Sequence, residues 1–535
     1  NIMIEIRKEP LMKRLLTLFL AFVTVAVLFT SCGPDKKPDS DPTPSTTASP
    51  SSSSTSGTSD EPTPTPTPTE TSLYNAKTDL PDGLNFNDAE INCISRIYSI
   101  YKDEITLDGG VSDGDPILNS IYQRNLNVEQ QLGLKINNFK TSSGGDFMSN
   151  FDILNILQNE MGAKTYNYDI IFSPSFACVY RTADALWEDL TTVDNLNLSK
   201  EYWSQLYNEQ VHIGNRQFFA TGAISLSLKR MVYATMFNKK LAENYAVEDL
   251  YNVVRENRWT LEYQGNVIQN MYEKLDSAQE GPSKGDMYGF ISNTNLSTDP
   301  YWTIYDIQVF TRTDDDYLEF NFDTERNSNI FEAVRKLYHD NDNVFLYPPV
   351  GEGDEQAEIR KHFAEGRAFM AHMKLQELEE ADIRGMEDQY GVLPLPKLEE
   401  NELPYYSSAF HAFTVVGVLK GQSDQDLAMC GAFLEAMSCE SYNLVQPAYF
   451  EVSLKGKYTK DPDSWEMLDN MMTNFRVDQD LLYSSTDSIN ILQMFRNSMA
   501  GNNKNFAGMW STFSLTMQKR TLTKHIDAIR AMNGD

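Results

Sequence analysis

The chain has 535 residues, 41% hydrophobic and 11% aromatic, enough for two or three domains with large packed cores. Its formal net charge of −31 comes from 76 acidic and 45 basic residues, which excludes nucleic acid and argues against anionic lipid, since both demand clustered Lys and Arg. Five cysteines without a CxxC and six scattered histidines give neither a zinc site nor a disulfide framework, so no metal or cofactor is expected. Cys93, Cys178, Cys430 and Cys439 read as buried thiols.

In chain order, Met12 reads as a better start than the segment upstream of it. Lys13 and Arg14 then precede an apolar run from Leu15 to Phe29, closed by Thr30, Ser31 and Cys32. Residues 12–31 make a secretory signal, short for a membrane span and followed by polar sequence. Its ending resembles a bacterial lipoprotein signal, with Phe29 standing where that signal usually has Leu. The resemblance implies lipidation of Cys32 and a mature chain held at the outer face of the cell membrane. An uncleaved anchor and an ordinary secreted protein are the alternatives. Residues 32–75 are rich in Ser, Thr, Pro and acids, with Pro and Thr alternating from Pro62 to Thr69. Such a segment cannot bury a core and reads as a disordered tether. At roughly 3 Å per residue it spans about 120 Å when fully extended.

The folded body begins near Asn85. Ile91–Tyr101 predicts a strand, and Gly114-Asp115-Pro116 opens a helix with Pro in its first turn, ended by Gly133. Strands follow at Leu134–Phe139 and Tyr168–Phe172, with a helix at Asp152–Gly162 between them. Phe218–Thr221 and Arg230–Phe237 read as strands, Asn238–Tyr245 starts a helix, and Trp259-Thr260 starts another through about Asp276. Phe331–Tyr338 and Glu358–Glu365 are helical. Ala368–Met370, Tyr390–Lys397 and His411–Leu419 are strands. Helices at Gln425–Ser438, Ser464–Asn474 and Thr512–Met532 close the chain. Strand and helix alternating at these intervals predict an α/β fold around parallel sheets, where ligands sit at the carboxyl ends of strands.

Several stretches carry a family resemblance. They are Gly114-Asp115-Pro116 through Ile121-Tyr122-Gln123-Arg124-Asn125 and Val128-Glu129; Tyr168-Asp169-Ile170-Ile171; Glu201-Tyr202-Trp203; and Met236-Phe237-Asn238-Lys239-Lys240. Further on come Trp259-Thr260, Arg384-Gly385-Met386-Glu387, Gly391-Val392-Leu393-Pro394-Leu395-Pro396-Lys397 and Pro447-Ala448-Tyr449-Phe450. In order and spacing these resemble the extracellular solute-binding proteins of sugar ABC importers, family 1 type, related to maltose-binding protein. Ala223 stands where many relatives carry Asp. The resemblance implies a two-lobed periplasmic-binding-protein-like fold with a hinge and an interlobe ligand cleft. Lobe one would be 85–220 and 406–440, and lobe two 221–405 and 441–535. It also implies a monomer that closes on a small molecule, a sugar, and presents it to the transmembrane subunits of an ABC permease.

Sugar sites stack aromatic faces on pyranose rings and use polar side chains for hydroxyls. The candidates are Tyr180, Trp203, Trp302, Tyr406, Tyr449 and Trp510, with Ser173, Ser175, Ser225 and His372 after strands or in crossovers. Trp187, Trp259 and Trp465 read as structural. Glu358 and His362 read as a helical surface pair, and Asp314-Asp315-Asp316 lacks calcium-loop spacing and reads as a solvated turn. No GxSxG, P-loop or SxxK occurs, so there is no enzyme signal. Peptide binding, a surface sensor or adhesin, and a polysaccharide-active enzyme remain as alternatives.

Overall fold

The structure is a computed structural model, and it describes residues 73–96, 104–105, 114–141, 149–348, 354–400, 404–459, 461–484, 491–509 and 512–535. The signal, Cys32, the tether as far as Ser72, and Trp510 lie outside these residues.

The strands in chain order are β1 (Ala89–Arg96), β2 (Leu134–Thr141), β3 (Ile170–Pro174), β4 (Tyr233–Asn238), β5 (Tyr272–Glu273), β6 (Met287–Asn293), β7 (Phe310–Arg312), β8 (Leu318–Phe320), β9 (Val344–Tyr347), β10 (Ala368–Lys374), β11 (Tyr390–Leu393), β12 (Ser407–Ser408), β13 (Thr414–Val418) and β14 (Phe475–Arg476). One sheet has the order β13-β3-β1-β2. In it β1 runs parallel to β2 and β3, and β13 is antiparallel, so Thr414 lies opposite Pro174. The second sheet has the order β11-β4-β10-β6-β5, with β9 also on β6. There β10, β6 and β9 are parallel and β4 is antiparallel to β10.

Local chemistry sets the first crossover. Asp115 caps the helix Pro116–Leu132 by accepting from the amides of Ile117 (2.9 Å) and Leu118 (3.1 Å). Gly133 ends it in the left-handed region (φ 56°) that favours glycine, and β2 starts at once. The helix buries Ile117, Ile121, Val128 and Leu132, and also Arg124. That guanidinium donates to the carbonyl of Ile105 at 2.6 Å and of Glu104 at 3.1 Å, and to the side chains of Asn125 (3.0 Å) and Ser441 (3.2 Å).

The segment leading into the body clamps the first-sheet side. Ala76 N–H donates to Asn443 Oδ1 (2.8 Å), Asn443 returns a bond to Ala76 O (3.0 Å), and Phe86 N–H reaches Leu132 O (2.8 Å).

Several expectations need correction. The helix after Trp259 spans only Leu261–Val267. The chain turns through Asn270 (φ 64°) into β5 instead of continuing to Asp276. Residues 226–230 form a helical turn, so the strand expected from Arg230 begins at Tyr233. Phe218–Thr221 makes no strand, only a bridge from Ala220 to Val416. Strand β6, buried along its whole length beside β10, was not foreseen. His362 is no surface residue: its Nδ1 bonds Tyr347 OH (2.8 Å) and its Nε2 meets Asp286 O (3.0 Å). The four described cysteines are free and buried. Cys430 and Cys439 share the helix Asp424–Glu440, where nine residues separate them by about 13 Å, too far for a bond.

Candidate functional site

The carboxyl ends of strands from both sheets converge on one seam. The first sheet brings Arg96 from β1, Ser173 from β3 and the start of β13. The second brings Lys374 from β10 and the approach to β4. The chain stitches the two together: Phe410 N–H donates to Met231 O (3.0 Å), Leu375 N–H to Val232 O (2.9 Å), and Thr414 N–H to Ser227 Oγ (2.9 Å).

The seam is polar and closed to solvent. Arg96 Nη2 donates to Ala412 O (2.7 Å) and Thr414 Oγ1 (3.1 Å). Glu104 accepts from Ser227 N–H (2.8 Å), from Ser227 Oγ (3.2 Å) and from Thr414 Oγ1. Arg230 Nε lies 2.7 Å from Glu379 Oε1, with both side chains only 2–3% exposed. Asp299 takes a bond from Arg496 Nε at 2.8 Å. Burial pushes the Asp299 carboxyl up while Arg496 and Lys374 hold it down. His411 Nδ1 stands 3.7 Å from Asp299 Oδ2, beyond hydrogen-bond reach. Burial, and then the charges of Arg496 and Lys374, push the His411 ring well below the usual histidine range, so it is neutral at pH 7.

Against these satisfied charges stand buried polar atoms with no hydrogen-bond partner among the described residues: Trp302 Nε1, Ser407 Oγ, His411 Nδ1, Gln376 Oε1 and Tyr449 OH. Four of them are near a charged member of the seam in sequence or in space, and Ser407 is on β12, which runs beside the helix following Asp299. Trp302 is on the short helix Pro300–Ile304 that follows Asp299, and Tyr449 lies within electrostatic range of Glu379 and Arg230. Unpaired buried polar groups cost about 1–3 kcal/mol each, so these five are candidates for atoms that a ligand would satisfy. The set provides one obligate donor and several hydroxyl or amide atoms of either sense, which suits a neutral, polyhydroxylated molecule. The seam carboxylates Glu104, Glu379 and Asp299 are each engaged by hydrogen bonds or an arginine. Among the described residues no three His, Cys, Asp or Glu gather as for a metal, and no helix is long and apolar enough to cross a membrane.

Of the sequence candidates, Ser173, Ser175, Ser225, Trp302 and Tyr449 come to the seam. Ser175 Oγ pairs with Tyr207 OH (3.2 Å), and Ser225 Oγ with Ser227 Oγ (3.1 Å). Four others lie elsewhere. His372 points into the second-sheet core, bonded to Tyr301 OH and Gln264 Nε2 (3.2 Å each), and burial pushes it down to about 3. Trp203 donates to Glu435 (3.2 Å) on the first-sheet side and lines a shallow groove with Lys229 and Phe475. Tyr180 stacks on His525 with centroids 5.7 Å apart. Tyr406 lies under the Arg476 guanidinium. The charged members Arg96, Glu104, Arg230, Asp299, Lys374, Glu379, His411 and Arg496 were missed. One signal was readable: Lys229-Arg230 abuts the apolar run Met231–Phe237, and a charge at the mouth of a buried strand marks a strand-end site.

No protein-family model matches the chain, and no curated protein matches it by sequence. Solved structures do. The chain is similar to the cyclic α-maltosyl-1,6-maltose binding protein of Arthrobacter globiformis, with a TM-score of 0.51 and 13% identity over 82% of this chain and 99% of that one. It is similar as well to the galacto-N-biose/lacto-N-biose I-binding protein of the ABC transporter of Bifidobacterium longum, with a TM-score of 0.50 and 12% identity over 82% and 98%. At this identity the likeness shows the fold: the two-lobed, periplasmic-binding-protein-like architecture of solute-binding proteins.

Proposed function

We propose that the chain is a solute receptor that captures a carbohydrate, an oligosaccharide, between its two sheet-bearing lobes and hands it to an ABC permease. The observation that carries this reading is the polar seam where strand ends of both sheets meet, together with the buried atoms Trp302 Nε1, Ser407 Oγ and Tyr449 OH, which have no hydrogen-bond partner among the described residues. The two similar structures are sugar-binding proteins, which supports the same ligand class. In this reading lobe one is 85–220 with 406–440 and lobe two is 221–405 with 441–535. The protein acts as a monomer, and Cys32 carries the lipid that holds it to the outer face of the cell membrane. Ligand stabilises the closed form through contacts the open form lacks.

The test is a thermal-shift screen of the purified protein against mono-, di- and oligosaccharides, with peptides and amino acids alongside. A ligand at 100 times its Kd adds about 2.7 kcal/mol, enough to raise the midpoint by a few degrees. A shift with one sugar series and no turnover is expected. Shifts with peptides alone would sink the carbohydrate assignment, and turnover would make the protein an enzyme. Labelling with an alkynyl fatty acid, lost in Cys32→Ser, checks the anchor.

A further inference from the structure

A second concavity lies at the other end of the helix Pro300–Ile304, away from Asp299. It measures about 350 Å³ and is lined by Tyr305, Asp306, Arg326, Lys397, Tyr406 and Arg476. That volume admits a molecule of monosaccharide size. In a chain of net charge −31, three cations converge on this one hollow. Its one lining carboxylate, Asp306, is engaged by Arg326 at 3.5 Å. Lys397 is held over the Tyr405 ring at 4.4 Å and donates to Glu400 O at 3.3 Å.

Arg476 differs from both. Its guanidinium carbon stands over the Tyr406 ring, 3.3 Å from the centroid, and the group makes no hydrogen bond or ion pair with any described residue. The parallel pairing of β14 with β12, Arg476 opposite Ser408, fixes the backbone beneath it. Asp478, two residues on, is the nearest acid in sequence. Burial pushes its carboxyl up while the charge of Arg476 holds it down, and it makes no ion pair with the guanidinium. A stacked guanidinium keeps its N–H edge free, in the fork geometry that binds an oxyanion by two parallel hydrogen bonds.

We propose that this hollow is a second ligand site, separate from the seam, for a compact ring bearing an oxyanion: a sugar acid or a sugar phosphate. Arg476 takes the oxyanion, and the rest of the hollow takes the ring. The assignment stands on these residues alone and does not depend on what the seam binds.

Isothermal titration of the purified protein at low ionic strength tests it, with D-glucuronate, glucose 6-phosphate, inorganic phosphate and D-glucose as probes. At least one charged sugar should bind, glucose should not, and Arg476→Gln should weaken binding about tenfold or more with an unchanged melting temperature. Which charged sugar binds names the source of the oxyanion. The site is overturned if neither charged sugar binds at about 10 mM, a Kd worth less than 3 kcal/mol. It is overturned as well if Arg476→Gln binds as tightly as the parent, or if inorganic phosphate matches glucose 6-phosphate. A neutral oligosaccharide that saturates the seam and competes with the anion would also overturn it. The response of Arg476→Gln to neutral sugars should match the parent's, so failure here is distinct from failure of the seam reading.

Discussion

Arg230 at the seam and Arg476 at the hollow are both cations set against aromatic and apolar surroundings, yet they are supplied differently. Arg230 has Glu379 at 2.7 Å and is closed to solvent. Arg476 has a tyrosine face, no ion pair with a described residue, and only Asp478, whose charge burial opposes, within electrostatic range. A buried charge with its counter-charge built in holds structure together. A recessed charge without one is left for something that arrives. Structural and ligand-facing polarity can therefore be told apart by which groups are already satisfied.

The strongest way to break that contrast is Arg230→Ala. It strands Glu379 as an uncompensated buried charge and should cost about 3–5 kcal/mol in urea denaturation. Replacing both partners with apolar residues of similar volume should recover most of the loss. A cost below about 1 kcal/mol for the single change would show that the pair is not structural.

His372 sharpens the comparison from inside the core. Its folded pKa is depressed to about 3, below the ordinary value near 6.5, so the unfolded chain binds a proton that the folded chain refuses. Its contribution is intact above pH 6.5 and is lost as pH falls from there toward 3. His362 and His525, both pushed down to about 4, work in the same direction. Asp478, raised by burial, works the other way. His372→Phe should therefore show a shallower acid limb between pH 6 and 4, by about 1.4 kcal/mol per pH unit. An unchanged slope in urea midpoints would place a charged ring in the folded state.

Tyr449→Phe removes a buried hydroxyl that has no hydrogen-bond partner among the described residues. It should leave stability unchanged or raise it by up to about 1 kcal/mol, while weakening any seam ligand that uses the hydroxyl. A clear loss of stability without ligand would mean the hydroxyl is already spent. The smallest effect belongs to Arg476→Gln, within about 0.5 kcal/mol by thermal melting, because the guanidinium makes no ion pair with a described residue and only its cation–π contact with Tyr406 and its weak pull on Asp478 are lost.

The sequence was legible where local chemistry decides. Asp115, Pro116 and Gly133 frame a helix by capping and backbone geometry, which need no knowledge of distant residues. The β3 run ending at Ser173-Pro174 was equally plain, because a short apolar stretch closed by turn residues reads as a buried strand. Strand β6 was hidden because all seven of its residues are buried, which erases alternation, and Gly289 inside it weakens the strand signal. The site was only half legible. Ser173, Ser175 and Trp302 follow from the rule of strand ends and aromatics, but an aromatic buries as readily in a core as in a cleft. Only tertiary contacts separate Trp302, whose indole N–H is idle, from Trp259, whose N–H donates to Pro394 O at 2.9 Å.

The clamp formed by Ala76 and Asn443 also has a mechanical meaning. Any pull on the chain upstream of Leu73 enters through residues 74–86 and is delivered to the helices Pro116–Leu132 and Asp424–Glu440, which flank the first sheet. Because Asn443 follows directly on the helix Asp424–Glu440 and Tyr74 OH also reaches Glu451 Oε1 (3.3 Å), that load is spread over the helices flanking the first sheet and over the 441–459 segment beyond them, rather than falling on a single contact.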